Sequence, residues 1–238
     1  MPSTLRGLTL GMTGAGLLFM IGCEIDMEPR GPSQTETKSI ELDKTELVTV
    51  DLRMGAGELT VRGGSSKLMD AEFQYNRLVT KPQVHYDASG FRGRLSVEEP
   101  RGTHRGTSHY RWDLRFNDEK PIDLNVDFGA GNGRLDIGSM ALRSVSVNMG
   151  VGSLLLDLRG TVRNDYTVRV HGGVGEATVY LPAETGIEAT ATGGIGGINA
   201  RGLHKRDGRY TNDAYGHAKT TVRLDIQGGI GTINLISG

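Results

Sequence analysis

Six histidines and a series of strand-borne aspartates are the residues of this chain that could do chemistry. The histidines are His85, His104, His109, His171, His204 and His217. His104 and His109 lie in G-T-H-R-G-T-S-H-Y, beside Arg101, Arg105 and Arg111, a grouping that suits a metal or an anion and equally a solvated hairpin tip. His171 falls beside a glycine corner, on an outward face. Asp51, Asp123, Asp127, Asp136, Asp157 and Asp225 occupy polar-face positions of alternating segments. Glycan cleavage needs two carboxylates gathered across one bond. Here they are spread along the chain and alternate with Arg53, Asn125, Ser146, Arg169 and Arg223. That mixture predicts a solvated face with cross-strand charge pairs. Gly129-Ala130-Gly131 and Gly194-Ile195-Gly196 have the look of phosphate loops, but a phosphate site needs a helix N-terminus after the glycines, and an alternating strand comes next instead. No Ser-His-Asp or Cys-His set can be identified. The sequence therefore assigns no catalytic residue, no metal and no cofactor, and the expectation is a protein that is not an enzyme.

The single thiol, Cys23, carries a different chemistry. It closes the apolar run Leu17-Leu18-Phe19-Met20-Ile21-Gly22-Cys23, and Arg6 gives the chain a basic start ahead of an uncharged Gly7–Gly22 stretch. These are the parts of an export signal. Gly22-Cys23 resembles the lipobox of bacterial lipoproteins, which implies acylation of Cys23 with chains such as palmitate and membrane attachment through the N-terminal lipid. Each buried CH₂ contributes about 0.8 kcal/mol, so two or three chains anchor stably. A cleaved signal with an incidental cysteine and a retained anchor are the alternatives. The run is shorter than the roughly 20 residues of a spanning helix. Residues 1–22 thus read as a lipoprotein signal peptide and 23–40 as a polar tether. Which membrane holds the chain is left open.

With 27 Lys and Arg against 28 Asp and Glu, the net charge is -1. No basic excess points to nucleic acid. Glycine is the outlier: 36 of 238 residues, about twice the usual 7%.

Those glycines mark a repeat. Six segments, starting at Val50, Leu124, Val145, Val168, Ile187 and Val222, each consist of an alternating strand, a Gly-apolar-Gly corner and a second alternating strand. The corners are Gly55/Gly57, Gly129/Gly131, Gly150/Gly152, Gly173/Gly175, Gly194/Gly196 and Gly229/Gly231. Apolar residues sit three and five places before the first glycine, and two and four after the second. The Leu124 unit reads as slipped by two, to Leu135 and Ile137. Met54, Phe128 and Met149 precede three corners that enclose Ala56, Ala130 and Val151. Gly172, Gly193 and Gly228 precede three that enclose Val174, Ile195 and Ile230. That inverse sizing predicts one buried layer shared by both slots. The fold class is all-β: a β-solenoid-like stack of strand-GxG-strand coils over residues 121–238, each coil on its sequence neighbour, with an N-terminal β cap over 41–120. In the cap, Val84–Asp87 and Arg94–Val97 predict a hairpin, Trp112, Leu114 and Phe116 a strand, Leu68–Tyr75 a short strand or helical turn, and Arg101–Ser108 a polar loop.

V-D-L-R-M-G-A-G-E-L-T-V-R-G-G, K-P-Q-V-H-Y and G-R-L-S-V, followed by D-L-N-V-D-F-G-A-G-N-G-R-L-D-I and the later corners, resemble the toast-rack domain over residues 47–238. The resemblance implies a β-solenoid-like protein of the bacterial envelope. It is related to Lia-type proteins of cell-wall antibiotic responses and to candidate adhesins, without known catalytic residues. The expected function is a non-catalytic, lipid-anchored envelope protein acting as an interaction module, in stress response or adhesion, whose partner is an envelope protein or glycan. A carbohydrate-binding or glycan-cleaving β-solenoid is the alternative, against which the 5% aromatic content weighs. Asn234-Leu235-Ile236 reads as an unpaired terminal strand, which predicts self-association through that edge.

Overall fold

A computed structural model describes residues 33–76, 81–100 and 110–238. Cys23, the signal segment and the His104/His109 loop lie outside the described residues. Residues 31–238 form one compact unit, and its described regular structure is entirely strand.

The six repeat units are six long strands: β2 (Leu47–Ser65), β7 (Ile122–Asp136), β8 (Leu142–Asp157), β9 (Tyr166–Leu181), β10 (Gly186–Arg201) and β13 (Thr221–Ser237). All pair in parallel, glycine over glycine, as in Gly131↔Gly152 and Gly175↔Gly231. Each strand bends at its corner. In β8, Val145, Val147 and Met149 point into the core before the bend, and Leu154 and Leu156 after it. Five positions separate Met149 from Leu154, an odd number that a flat strand would send to opposite faces. The corner restores the common face, so both arms of every strand bury their apolar residues in one cluster.

Glycine makes the bend sterically feasible. Gly131 and Gly152 have φ of +125° and +136°, a region L side chains rarely adopt. A Cβ on Gly152 would also lie 1.9 Å from the carbonyl oxygen of Gly131. Neighbouring corners thus stack backbone on backbone with no room for a side chain.

Gly57 departs from the equivalence that the repeat predicts for the six corners. It has the same left-handed backbone, with φ of +144°, and it pairs with Gly131 on its inner side. Its would-be Cβ, however, meets no corner glycine. It would lie 2.3 Å from the carbonyl oxygen of Tyr110 and 2.7 Å from the Met54 methyl. The reason is that β2 begins the stack, so a strand of the cap, not another coil, approaches Gly57 from outside. Gly57 is therefore the junction between stack and cap.

Further expectations need correction. The residue between the glycines does not share a buried layer with the residue before them. Met54, Phe128 and Met149 are buried, whereas Val151, Val174, Ile195 and Ile230 are exposed on the outside of the bend. Across the inner corner the residue before the first glycine meets the one two places after the second. In β7, β10 and β13 these two are large against small, whereas in β2 and β8 both are large and buried. Phe128 faces Gly133, and its ring lies 3.8 Å from where a Gly133 Cβ would be. Ile233 reaches into the space beside Gly228, 3.2 Å from its would-be Cβ. The Leu124 unit is therefore not slipped: Gly133 stands in register with Leu154, and Leu135 with Leu156. In β9 both slots are small, Gly172 and Ala177, and a cavity of about 30 Å³ opens between them and Met149, Val170 and Ile226.

The stacking order is another correction. It runs β2-β7-β8-β9-β13-β10, so the last unit is inserted between the fourth and fifth. A hairpin, β11 (His204–Arg206) and β12 (Arg209–Thr211), takes the outer edge of the first arm of β10 at Glu188–Thr190. Strand β13 fills the place between β9 and β10 and is paired on both sides. The expected free edge at Asn234–Ile236 does not exist.

The two arms continue separately into the N-terminal cap. Beside the first arm of β2 lies β5 (Arg92–Glu98), paired with β4 (Gln83–Ser89) as the predicted hairpin. Beside its second arm lies β6 (Tyr110–Asn117), followed by β3 (Met69–Asn76) and β1 (Ser33–Ile40). Leu68–Tyr75 thus forms a strand from Met69 onward. The last eight residues of the expected tether are strand β1. The cap's core is aromatic, with Trp112 packed edge-on against Phe73 and Tyr110 at 5.6 and 6.3 Å between ring centroids. Asp70 fastens β1 by accepting hydrogen bonds from Ser39 at 2.6 Å and Ser65 at 2.7 Å. These two hydroxyls hold its carboxyl below the usual carboxylate range.

Gly152→Ala should lower the unfolding free energy by at least about 2–3 kcal/mol. Gly172→Ala should raise it by about 0.4–1 kcal/mol, since its Cβ enters open space and the unfolded chain loses freedom. Urea denaturation of both variants checks the pair. Asp70→Asn should cost about 1 kcal/mol at neutral pH. Because the native carboxyl titrates low, its contribution is present above the ordinary aspartate value of 3.8 and fades as pH falls below it. Melting curves of the two proteins should therefore converge in acid.

Candidate corner groove and ridge

The bend creates two surfaces on its outside. One is a groove of about 1220 Å³ that runs along the first corner glycines, from Gly55 through Gly129, Gly150 and Gly173 to Gly229. Its polar row comes from the position two before each of those glycines: Arg53, Asp127, Asn148, His171 and Gln227, stacked strand on strand. Parallel in-register pairing puts equivalent residues beside one another. At one end Glu98, Glu99 and Pro100 close the groove.

Hydrogen bonds and ion pairs tie together the end of the row that holds Arg53, Asp127 and Asn148. Arg53 reaches Glu98 at 2.7 Å and lies 3.7 Å from Asp127. Asn148 donates to Asp127 at 2.8 Å. The amide of Gly55 donates to Glu99 at 2.6 Å. His171 is exposed in the row, on the outward face where the sequence placed it. The row presents donors and acceptors side by side along a glycine floor that the Glu99 carboxylate covers at Gly55.

The second surface is an apolar ridge. Ala56, Ala130, Val151, Val174, Ile230 and Ile195 stand in register, one per strand. Side-chain size grows along it from alanine to isoleucine. The four largest are 54%, 44%, 51% and 72% exposed in that order. Sequence reasoning missed both surfaces, yet a signal was present. If both arms point inward, the residue between two corner glycines is at the apex of the bend and must point out.

The aspartates singled out from the sequence do not converge. Asp123 accepts from Ser144, Asp136 from Arg134, Asp157 from Arg159 and Asp225 from Thr190. Asp51 is a correction to the solvated-face reading: it is only 6% exposed, held by Arg94 at 2.7 Å and Asn125 at 2.9 Å. His204 meets Asp213 at 2.9 Å on the β11–β12 side, while His85 and His217 are exposed on other elements. Among the described residues no three His, Cys, Asp or Glu side chains gather as a metal site. The corner glycines divide their work: the first of each pair except Gly194, from Gly55 to Gly229, floors the groove, while the second, Gly57 among them, holds the bend and lies off the groove.

A parallel stack of bent strands with in-register glycine corners defines a toast-rack-type β protein. The sequence profile described as the N-terminal domain of toast_rack, DUF2154, matches residues 29–180, and the chain belongs to that family. The match takes in β1 to β9. Among solved structures, a candidate cell adhesion protein from Clostridium sporogenes ATCC 15579 is 31% identical, with a TM-score of 0.80, over 87% of this chain and 100% of that one. A candidate adhesin from Bacteroides fragilis NCTC 9343 is 12% identical, with a TM-score of 0.30, over 87% and 98% of the two chains. No curated protein matches the chain.

Val151→Asp should change the unfolding free energy by no more than about 0.5 kcal/mol, whereas Met149→Ala, two residues earlier, should cost about 2–4 kcal/mol. Comparable losses in denaturation would place the ridge in the core.

Proposed function

We propose that this chain is a non-catalytic interaction module of the bacterial cell envelope, exported and held on a membrane through acylated Cys23. The corner groove is its binding surface, and adhesion to an envelope or surface partner is the process it serves. The observation that carries this reading is the groove itself, a long, open, shallow surface with a glycine floor and a mixed polar row. A surface whose polar groups are already lined up by strand register costs little to order on binding. Arg53 engages the carboxylates of Glu98 and Asp127, which suits recognition better than acid–base work, where a carboxyl must exchange its proton. The likeness to a candidate cell adhesion protein supports the same reading. The groove's chemistry suits a polar partner rich in hydroxyl and amide groups, such as a glycan or an extended peptide.

Attachment assays on cells displaying the full chain test the binding surface. Asn148→Ala, His171→Ala and Gln227→Ala combined should leave thermal stability intact and reduce attachment at least about tenfold, the loss expected when a few central contacts of about 1 kcal/mol each are removed. Undiminished attachment would contradict the groove assignment, and release of reducing sugar from envelope glycan would favour the glycan-cleaving alternative. For the anchor, Cys23→Ala should abolish fatty-acid labelling. Labelling equal to that of the unaltered chain would contradict it.

A further inference from the structure

The described sheet edges are not equally guarded. Exposed strand edges recruit other strands, and natural proteins blunt them with charge, proline or brevity. At the N-terminal end of the stack, β1 carries Glu36 and Lys38, and β4 carries His85 and Asp87. At the other end β11 is three residues long, and all three are basic. The second arm of β10 has none of these devices. From Gly193 to Ala200 it contains no charge and no proline, and beyond the Glu188–Thr190 stretch covered by β12 its outer side is unpaired.

The core is also unfinished there. Its inward residues Ile198 and Ala200 are half-buried, while Ile233 and Leu235, their register partners one strand in, are 4% and 0% exposed. The apolar ridge ends at the same edge on its largest and most exposed member, Ile195.

We infer that the second arm of β10 pairs with the same arm of a second copy of this chain, antiparallel about a two-fold axis near Asn199. The edge is complementary to itself in that register. A two-fold axis sets identical residues opposite one another, so a charged residue near it would repel its own copy. Residues 193–200 carry no charge. Asn199 would face Asn199, and an amide holds both a donor and an acceptor, so the pair meets without conflict. Ile198 would face Ala200 and Ala200 would face Ile198, large against small, closing the two half-buried inward slots. Arg201, the nearest charge, would face Gly197, which has no side chain to obstruct it. The pairing turns two arm sheets into one continuous sheet. It is independent of what the groove binds.

Sedimentation equilibrium of the full chain with density-matched detergent tests this. At about 100 μM, where a weak interface with a Kd on the order of 10 μM is mostly formed, the unaltered chain should show twice its single-chain mass. Gly197→Lys, whose Cβ has nothing within 4 Å, should keep its strand spectrum and melting behaviour of the single chain and fall to the single-chain mass. An unaltered chain of single mass at that concentration would overturn the inference, and so would a Gly197→Lys variant that stays double.

Discussion

Everything in this protein depends on the close approach of glycine backbones at the corners. Along the second-glycine ladder a Cβ would lie 1.7 to 2.0 Å from the neighbouring carbonyl oxygen, from Gly131 through to Gly196. No side chain survives that spacing, and no other residue adopts the accompanying positive φ without strain. Once the corners stack, each strand must bend at the same level, and two arms are forced to face one core. The polar groove and the apolar ridge are then by-products of the bend, fixed by which side chains are left on its convex side.

Packing inside the corner is balanced within β7, β10 and β13, where a large residue on one side of the glycines stands against a small one on the other. The residue before the glycines is balanced by the residue beyond them, as Phe128 is by Gly133 and Gly228 by Ile233. In β2 and β8 both slots are large, and where both are small, at Gly172 and Ala177, a small void appears. Close-packed interiors respond to single methyl groups, and this one shows the response in miniature within a single repeat.

Much of this was legible in the sequence. Alternation located both arms of all six long strands, because a strand with one buried face has to alternate, and the glycine pairs located the bends. The corner itself was misread. A period-two count carried through Gly150-Val151-Gly152 gives no sign that the bend resets the face, so Val151 and its equivalents were assigned inward. Gly57 looked like its five counterparts because its special neighbour, the Tyr110 carbonyl, arrives from β6, far along the chain. The order of the last two strands was hidden because β9, β10 and β13 share one corner pattern, and nothing local distinguishes a neighbour in sequence from a neighbour in space. The buried Asp51 was hidden for a related reason: its partner Arg94 arrives from β5, more than forty positions away. The groove row could not be read at all, since Arg53, Asp127, Asn148, His171 and Gln227 become a surface only when parallel register lines them up.

The central claim is that the corners are the rigid spine of the fold rather than loops between two sheets. Amide hydrogen exchange resolves this directly. The corner amides around Gly131, Val151, Gly152 and Gly175 should exchange as slowly as those of Val147 and Leu156 in the arms, through global unfolding. Exchange at corner amides orders of magnitude faster than in the arms would show that the arms hold without them, and would contradict the account.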